Sequence, residues 1–161
     1  MVRNKKIIIA IGGGGFTHSS DEDMDEYVIN QVNKSNINIG FLPTASNDNQ
    51  EKTDLFYKRF KSQKFKLSHF NLCSSVGGFN EWLLNKDIIY VGGGNTSEMI
   101  NIWKRHNLIK VFKDAYEKGI ILSGISAGAV CWFDWILSDS VNKELGPVSY
   151  THLRAHETCH N

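Results

Sequence analysis

The first chemically suggestive feature of this 161-residue chain is a serine set among small residues. Gly124-Ile125-Ser126-Ala127-Gly128 fits G-x-S-x-G, a pattern that holds a serine nucleophile on a sharp turn from strand to helix. The spacing has a steric reason. The bend lifts the hydroxyl above the sheet edge, and glycines two residues to either side remove side chains that would clash there. The N–H of Ala127, at the start of the following helix, would face the same space and stabilise an oxyanion. The competing explanation is packing alone, since small residues also fill crowded strand-to-helix turns. A second turn, Val91-Gly92-Gly93-Gly94-Asn95-Thr96, lets the backbone approach a ligand and offers a second oxyanion donor. Asn95, Thr96 and Ser97 could hold a polar or charged end of a substrate. Asn95 or Thr96 could also cap a helix with Glu98 in its first turn, and the two roles are compatible. No Gly-Lys-Ser/Thr follows, so this is not a P-loop.

These turns need strands that end where they begin. Residues 6–11 are β-branched and almost continuously apolar, and stop at Gly12-Gly13-Gly14-Gly15, which suits a strand buried on both faces. A helix should follow, capped by Ser20, with Asp21, Glu22 and Asp23 in its first turn and Met24, Val28 and Val32 on its inner face. Further strands are expected over 37–42, 65–72, 87–91 and 119–123, and helices over 48–63, 79–84, 97–106 and 108–118. In the 48–63 helix, Leu55, Phe56 and Phe60 should face inward. Alternation of strand and helix predicts an α/β fold, a parallel sheet with helices on both faces. Ligands in such folds lie beyond the carboxyl ends of the strands. All three glycine-rich turns follow strands, so a parallel sheet would bring them to one rim.

Composition narrows the function. Lys plus Arg is 18 and Asp plus Glu 17, a net charge of +1, which gives no electrostatic reason to expect nucleic acid or an anionic membrane as partner. No apolar run reaches the roughly 20 residues of a membrane helix, and the short run after the amino terminus lacks the features of a signal peptide. Cys73, Cys131 and Cys159 are too few and too uneven for a disulfide framework, which points to a reducing, cytoplasmic compartment. Cys73 reads as a small buried hydrophobe and Cys131 as packing inward. A dinucleotide-binding reading fails, because G-x-G-x-x-G is not completed: His18 stands where the last glycine would be.

Taken together, the segments are more specific than either turn alone. The stretches from Asp87 to Ser97, Trp103 to His106 and Gly124 to Phe133, with Ile9-Ala10-Ile11-Gly12-Gly13-Gly14-Gly15 and Phe41-Leu42-Pro43-Thr44-Ala45-Ser46-Asn47, resemble the peptidase E family. These are the S51 serine peptidases, which include aspartyl dipeptidases and, more distantly, cyanophycinases. The resemblance implies a class I glutamine amidotransferase-like fold, a flavodoxin- or Rossmann-like three-layer sandwich, with serine in place of the usual cysteine. It implies Ser126 as nucleophile and an oxyanion hole from the N–H groups of Ala127 and of Gly93 or Gly94. The triad acid would fall on Asp139, with Asp134 the competing carboxylate. The implied reaction is hydrolysis of short peptides, with those beginning in aspartate as the family precedent, and it calls for no cofactor. Oligomeric state is left open. A non-catalytic domain binding a peptide or small ligand on the same glycine rim is the alternative.

The chain departs from that family in its histidines. The family's catalytic histidine lies in a segment resembling Cys-Pro-His-Tyr downstream of the serine, and no such segment occurs here. His18, His69 and His106 precede Ser126, while His152, His156 and His160 fall in the last ten residues. The likeness breaks after Gly146-Pro147-Val148, and residues 148–158 resemble translated sequencing-adapter read-through. The expectation is an S51-like domain over 1–148, incomplete at its carboxyl end, an unrelated tail over 149–161, and a chain inactive for want of its base. His156-Glu157-Thr158-Cys159-His160 matches the zinc motif H-E-x-x-H. His152 as third ligand would sit on the same helix and make a poor tetrahedral site, so no metal is expected.

Overall fold

The apolar runs pair side by side, buried on both faces over 88–91 and 121–125, but not as expected over 8–11, an edge strand with Ala10 exposed. The structure, a computed structural model, describes residues 5–18, 21–133, 135–137 and 147–149. Strands β1 (Ile8–Ile11), β2 (Ile37–Leu42), β3 (Phe65–His69), β4 (Ile88–Val91) and β5 (Ile121–Ile125) form one parallel sheet in the order β1-β5-β4-β2-β3. The helices between them are α1 (Glu22–Ile29), α2 (Gln50–Arg59), α3 (Phe79–Leu84), α4 (Thr96–Arg105) and α5 (Leu108–Glu117). A short helix, α6 (Ala127–Val130), follows β5, and β6 (Trp135–Leu137) pairs antiparallel with β7 (Pro147–Ser149). The expected three-layer α/β sandwich is therefore the observed one.

The strand order explains the layers. The chain moves across the sheet from β1 to β2 to β3, then back through β4 to β5. Right-handed crossovers place helices of the outward path on one face and those of the return path on the other. Accordingly Phe56 of α2, Phe60 just after it and Val28 of α1 share a core with Phe41 and Tyr90. Trp103 of α4 and Phe112 of α5 share the opposite core with Ile89, Val91 and Trp132. Strand β4 divides its side chains as a pleated strand must: Ile88 and Tyr90 to one core, Ile89 and Val91 to the other. Phe16, in the 3-10 turn after the first glycines, lies edge-on to Phe41 and Tyr90 with ring centroids 5.3 Å away in each case. It anchors the first glycine turn to the core.

Several expectations about individual elements need correcting. The helix expected over 48–63 starts only at Gln50, because Asn47 and Asp48 both take left-handed backbone angles (φ 56° and 54°) that an α-helix cannot continue through. Asn49 caps it, its side chain accepting from the N–H of Lys52 at 3.0 Å. The strand expected over 119–123 runs two residues later, since Gly119 (φ 83°) closes α5 by donating to the carbonyl of Tyr116. On α1, Met24 is exposed and the inward positions belong to Asp25 and Val28. Ser20 lies outside the described residues, and Asp21 occupies the cap position. Cys73 is exposed rather than buried, while Cys131 is buried as expected. The N–H of Cys73 donates to Asp48 Oδ2 at 2.8 Å. Desolvation first, then the Asp48 carboxylate, pushes its thiol up to about 11, so it stays protonated at neutral pH.

Asp25 is a buried acid that the hydrophobic pattern concealed. Its carboxylate accepts from Tyr90 Oη at 2.7 Å and pairs with Arg59 Nε at 2.9 Å. Desolvation raises its pKa, and the Tyr90 hydrogen bond and the Arg59 charge oppose that rise. A raised folded-state pKa means the fold gains from protonation: that stabilising contribution is fully present below the unfolded value of 3.8 and is lost as pH rises through the folded value. Arg59→Met removes the counter-charge and should lift the pKa further. It is expected to cost about 3–5 kcal/mol of stability at pH 7. The loss should shrink as pH falls and Asp25 takes up a proton, which urea denaturation across a falling pH series checks.

Candidate active site

Strand order decides what the glycine turns can do. Strands β1, β5 and β4 are neighbours, with Ile11 level with Ile125 and Gly124 level with Val91. Gly12–Gly15, the Ser126 turn and Gly92–Gly94 therefore emerge side by side at the carboxyl rim, with Ser126 in the middle.

Ser126 is exposed and held at φ 55°, ψ −113°, a conformation costly for any residue with a Cβ. Both of its peptide groups are pinned. Its N–H donates to the carbonyl of Ile11 at 2.9 Å, and its carbonyl accepts from the N–H groups of Ala129 and Val130 at 2.9 and 3.1 Å. The flanking glycines are required by contact. A Cβ on Gly124 would stand 2.0 Å from the carbonyl oxygen of Gly128, and one on Gly128 would stand 2.1 Å from that of Val91. Helix α6 is thus pressed directly onto the ends of β5 and β4, and this forces the bend at Ser126.

The second turn closes on the same serine. A Cβ on Gly93 would lie 3.1 Å from Ser126 Cβ and 3.6 Å from its Oγ. Gly94 (φ 149°) lies against the 3-10 turn Thr44–Ser46: a Cβ there would be 2.0 Å from the carbonyl oxygen of Ala45, which also accepts from the N–H of Asn95. Among the described residues, no backbone carbonyl outside the regular elements accepts from the N–H of Gly93, Gly94 or Ala127. Ala127 opens α6 and has no acceptor within its own helix. These three donors are the ones expected of an oxyanion hole. Asn95 is the helix cap, its Oδ1 accepting from the N–H of Glu98 at 3.1 Å, and Thr96 is buried at the first position of α4.

Lys52 was not foreseen. It reaches from α2 to donate from Nζ to the carbonyl of Gly93 at 3.0 Å. The contact joins two segments 41 residues apart, so no window of neighbouring residues shows it.

Among the described side chains, no histidine stands near Ser126. His69 ends β3, three strands from β5, which at the usual strand spacing is about 14 Å away; its Nδ1 lies 3.0 Å from Tyr57 Oη. His106 closes α4 at the end remote from the glycine turn, about 15 Å along the helix. Asp134, Asp139, His152, His156 and His160 lie outside the described residues. Among the described residues no group of three or more His, Cys, Asp or Glu is placed to hold a metal, and no helix is long and apolar enough to cross a membrane. A groove of about 570 Å³ lies between Lys34, Lys86, Asp87 and Gly119 at the amino ends of the strands, the rim opposite Ser126.

A strained serine between strand and helix, ringed by backbone N–H groups that no carbonyl among the described residues engages, is the backbone arrangement of the G-x-S-x-G turn. The chain belongs to peptidase family S51, whose model matches residues 8–155. It is 39% identical over 137 residues to the uncharacterised peptidase YgaJ of Bacillus subtilis (strain 168), a match covering 84% of this chain and 60% of that relative's length. It is also similar to a solved peptidase E-type protein of Listeria monocytogenes EGD-e, at 25% identity and TM-score 0.59, covering 70% of this chain and 58% of that one. A peptidase from an acI-B1 Actinobacterium, at 15% identity, shares the fold with TM-score 0.66 over 88% of this chain and 62% of its own.

Proposed function

We propose that the protein is a cytoplasmic serine peptidase of short peptides, with Ser126 as nucleophile. The observation that carries this reading is the forced positive φ of Ser126 beside the N–H groups of Ala127 and the Gly93–Gly94 turn, which donate to no backbone carbonyl among the described residues. In the reaction, Ser126 Oγ bonds to the scissile carbonyl carbon while its proton passes to a base. The carbonyl oxygen takes the negative charge and is met by those N–H groups. The C–N bond then breaks, the amine leaves with the proton, and water hydrolyses the acyl-serine ester. Dipeptides beginning in aspartate are the substrates we infer from the family resemblance. We assign the base to a histidine beyond the described residues and the triad acid to Asp139 ahead of Asp134.

A fluorophosphonate probe on the complete protein tests the nucleophile. Labelling that maps to Ser126 supports it, and a folded protein left unlabelled overturns it. Asp139→Asn should lower kcat by about 10⁴-fold, as loss of a triad acid does. Asp134→Asn should stay within severalfold of the unmutated protein, and the reverse result would exchange the two assignments. A second reading is binding of peptide on the same rim without turnover, because among the described side chains neither His69 nor His106 stands near Ser126. Calorimetric binding of a dipeptide with no hydrolysis would support that reading.

A further inference from the structure

We propose that Lys52 is a positioning residue that aims the N–H of Gly94, rather than that of Gly93, into the oxyanion hole. The inference rests on Ser126 being the nucleophile and deepens that reading. Lys52 is held at both ends: Asn49 Oδ1 accepts from its backbone N–H at 3.0 Å, and its ammonium donates to the carbonyl of Gly93 at 3.0 Å. The Gly93–Gly94 peptide is trans, as are all the peptide bonds described, so its C=O and N–H point in opposite directions. Fixing the oxygen toward α2 turns the Gly94 N–H away from α2. Among the described residues that N–H has no backbone partner, and Gly94 is exposed, whereas Gly93 is buried against Ser126.

Charge adds to geometry. A cationic donor on the carbonyl makes a stronger hydrogen bond than a neutral one and polarises the peptide, which strengthens its N–H as a donor. The placement of Lys52 also runs against local preference. It is third in α2, where the helix dipole disfavours a positive charge. A local rule broken without local gain marks a functional position. Asn49 provides the cap by itself, so helix formation does not require the lysine.

The test uses Lys52→Met and Lys52→Arg in the complete protein. A whole oxyanion donor is worth 10²–10³ in kcat, so misaiming one should lower kcat for dipeptide hydrolysis about tenfold in Lys52→Met. KM should stay within about twofold, because the contact acts on the transition state. Lys52→Arg, which keeps the charge, should recover most of the rate. In the 15N-labelled protein, the amide resonance of Gly94 should move in Lys52→Met while that of Gly77 does not. Unchanged kcat with only a lowered Tm would overturn the proposal, since Lys52 would then be structural. A raised KM at constant kcat would also overturn it, in favour of substrate binding by the ammonium. If the unmutated protein shows no Ser126-dependent turnover, the peptidase reading fails and the oxyanion role falls with it. That result differs from the failure of Lys52 alone, in which the unmutated protein turns over and Lys52→Met matches it.

Discussion

Ser126→Ala is expected to lower kcat/KM for short-peptide hydrolysis by at least about 10⁴-fold and to abolish fluorophosphonate labelling. The loss is large because, in the proposed reaction, Ser126 Oγ forms the bond to the substrate and its partners act only through it. Folding should be untouched. Alanine has a Cβ like serine, so it meets the same strain at φ 55°, and the hydroxyl is not the cap of α6. Ser126→Gly separates strain from chemistry. Glycine takes positive φ without steric cost, so this variant should be inactive yet more stable than the parent by about 1 kcal/mol. Paired urea melts and probe labelling of the two variants check both halves. A fall in stability for Ser126→Gly would mean that the bend is not strained, and would remove the physical basis of the elbow. Stability given up at the residue that does the chemistry is the usual trade at such sites.

The second large effect is expected at Gly128, a residue with no proposed role in the chemistry. Its missing side chain lets the first turn of α6 rest on the Val91 carbonyl, and a Cβ there would stand 2.1 Å from that oxygen. Both partners are backbone, so no rotamer change relieves the clash, and α6 must lift from the sheet. Overpacking of this kind costs about 1–3 kcal/mol. The displacement also carries the Ala127 N–H and Ser126 away from the Gly93–Gly94 turn, and a misplacement of about 1 Å can cost about 10²-fold in rate. Gly128→Ala is therefore expected to lose about 100-fold in kcat and to melt earlier. Gly77→Ala, where the nearest atom to a new Cβ is Ser75 Oγ at an ordinary 3.6 Å, should change neither. Equal behaviour of the two variants would show that α6 tolerates the shift.

Much of the architecture was legible because it is written in local pattern. Strands β2 and β4 and helix α3 stand within a residue of their expected positions, since continuous apolar runs and their glycine or proline ends are properties of neighbouring residues. Local pattern misled where a distant partner overrode it. Met24 yields the inner face of α1 to Asp25 because Arg59 and Tyr90, 34 and 65 residues away in sequence, satisfy the buried carboxylate. The start of α2 moved because two consecutive residues, Asn47 and Asp48, adopt left-handed angles that composition does not announce.

The sequence alone determined that Ser126 lies on a glycine-flanked turn after a strand, that two further glycine turns follow strands, and that the segments resemble the S51 peptidases. Only the tertiary structure decided that β5 lies between β1 and β4, which seats the three turns around one serine. It alone also placed the Gly128 and Val91 backbones in contact and brought Lys52 to the carbonyl of Gly93. The division has a physical cause. Periodicity and turn chemistry are set within a few residues, whereas strand order and side-chain encounters depend on which distant segments bury one another's surface, and no window of neighbours contains that information.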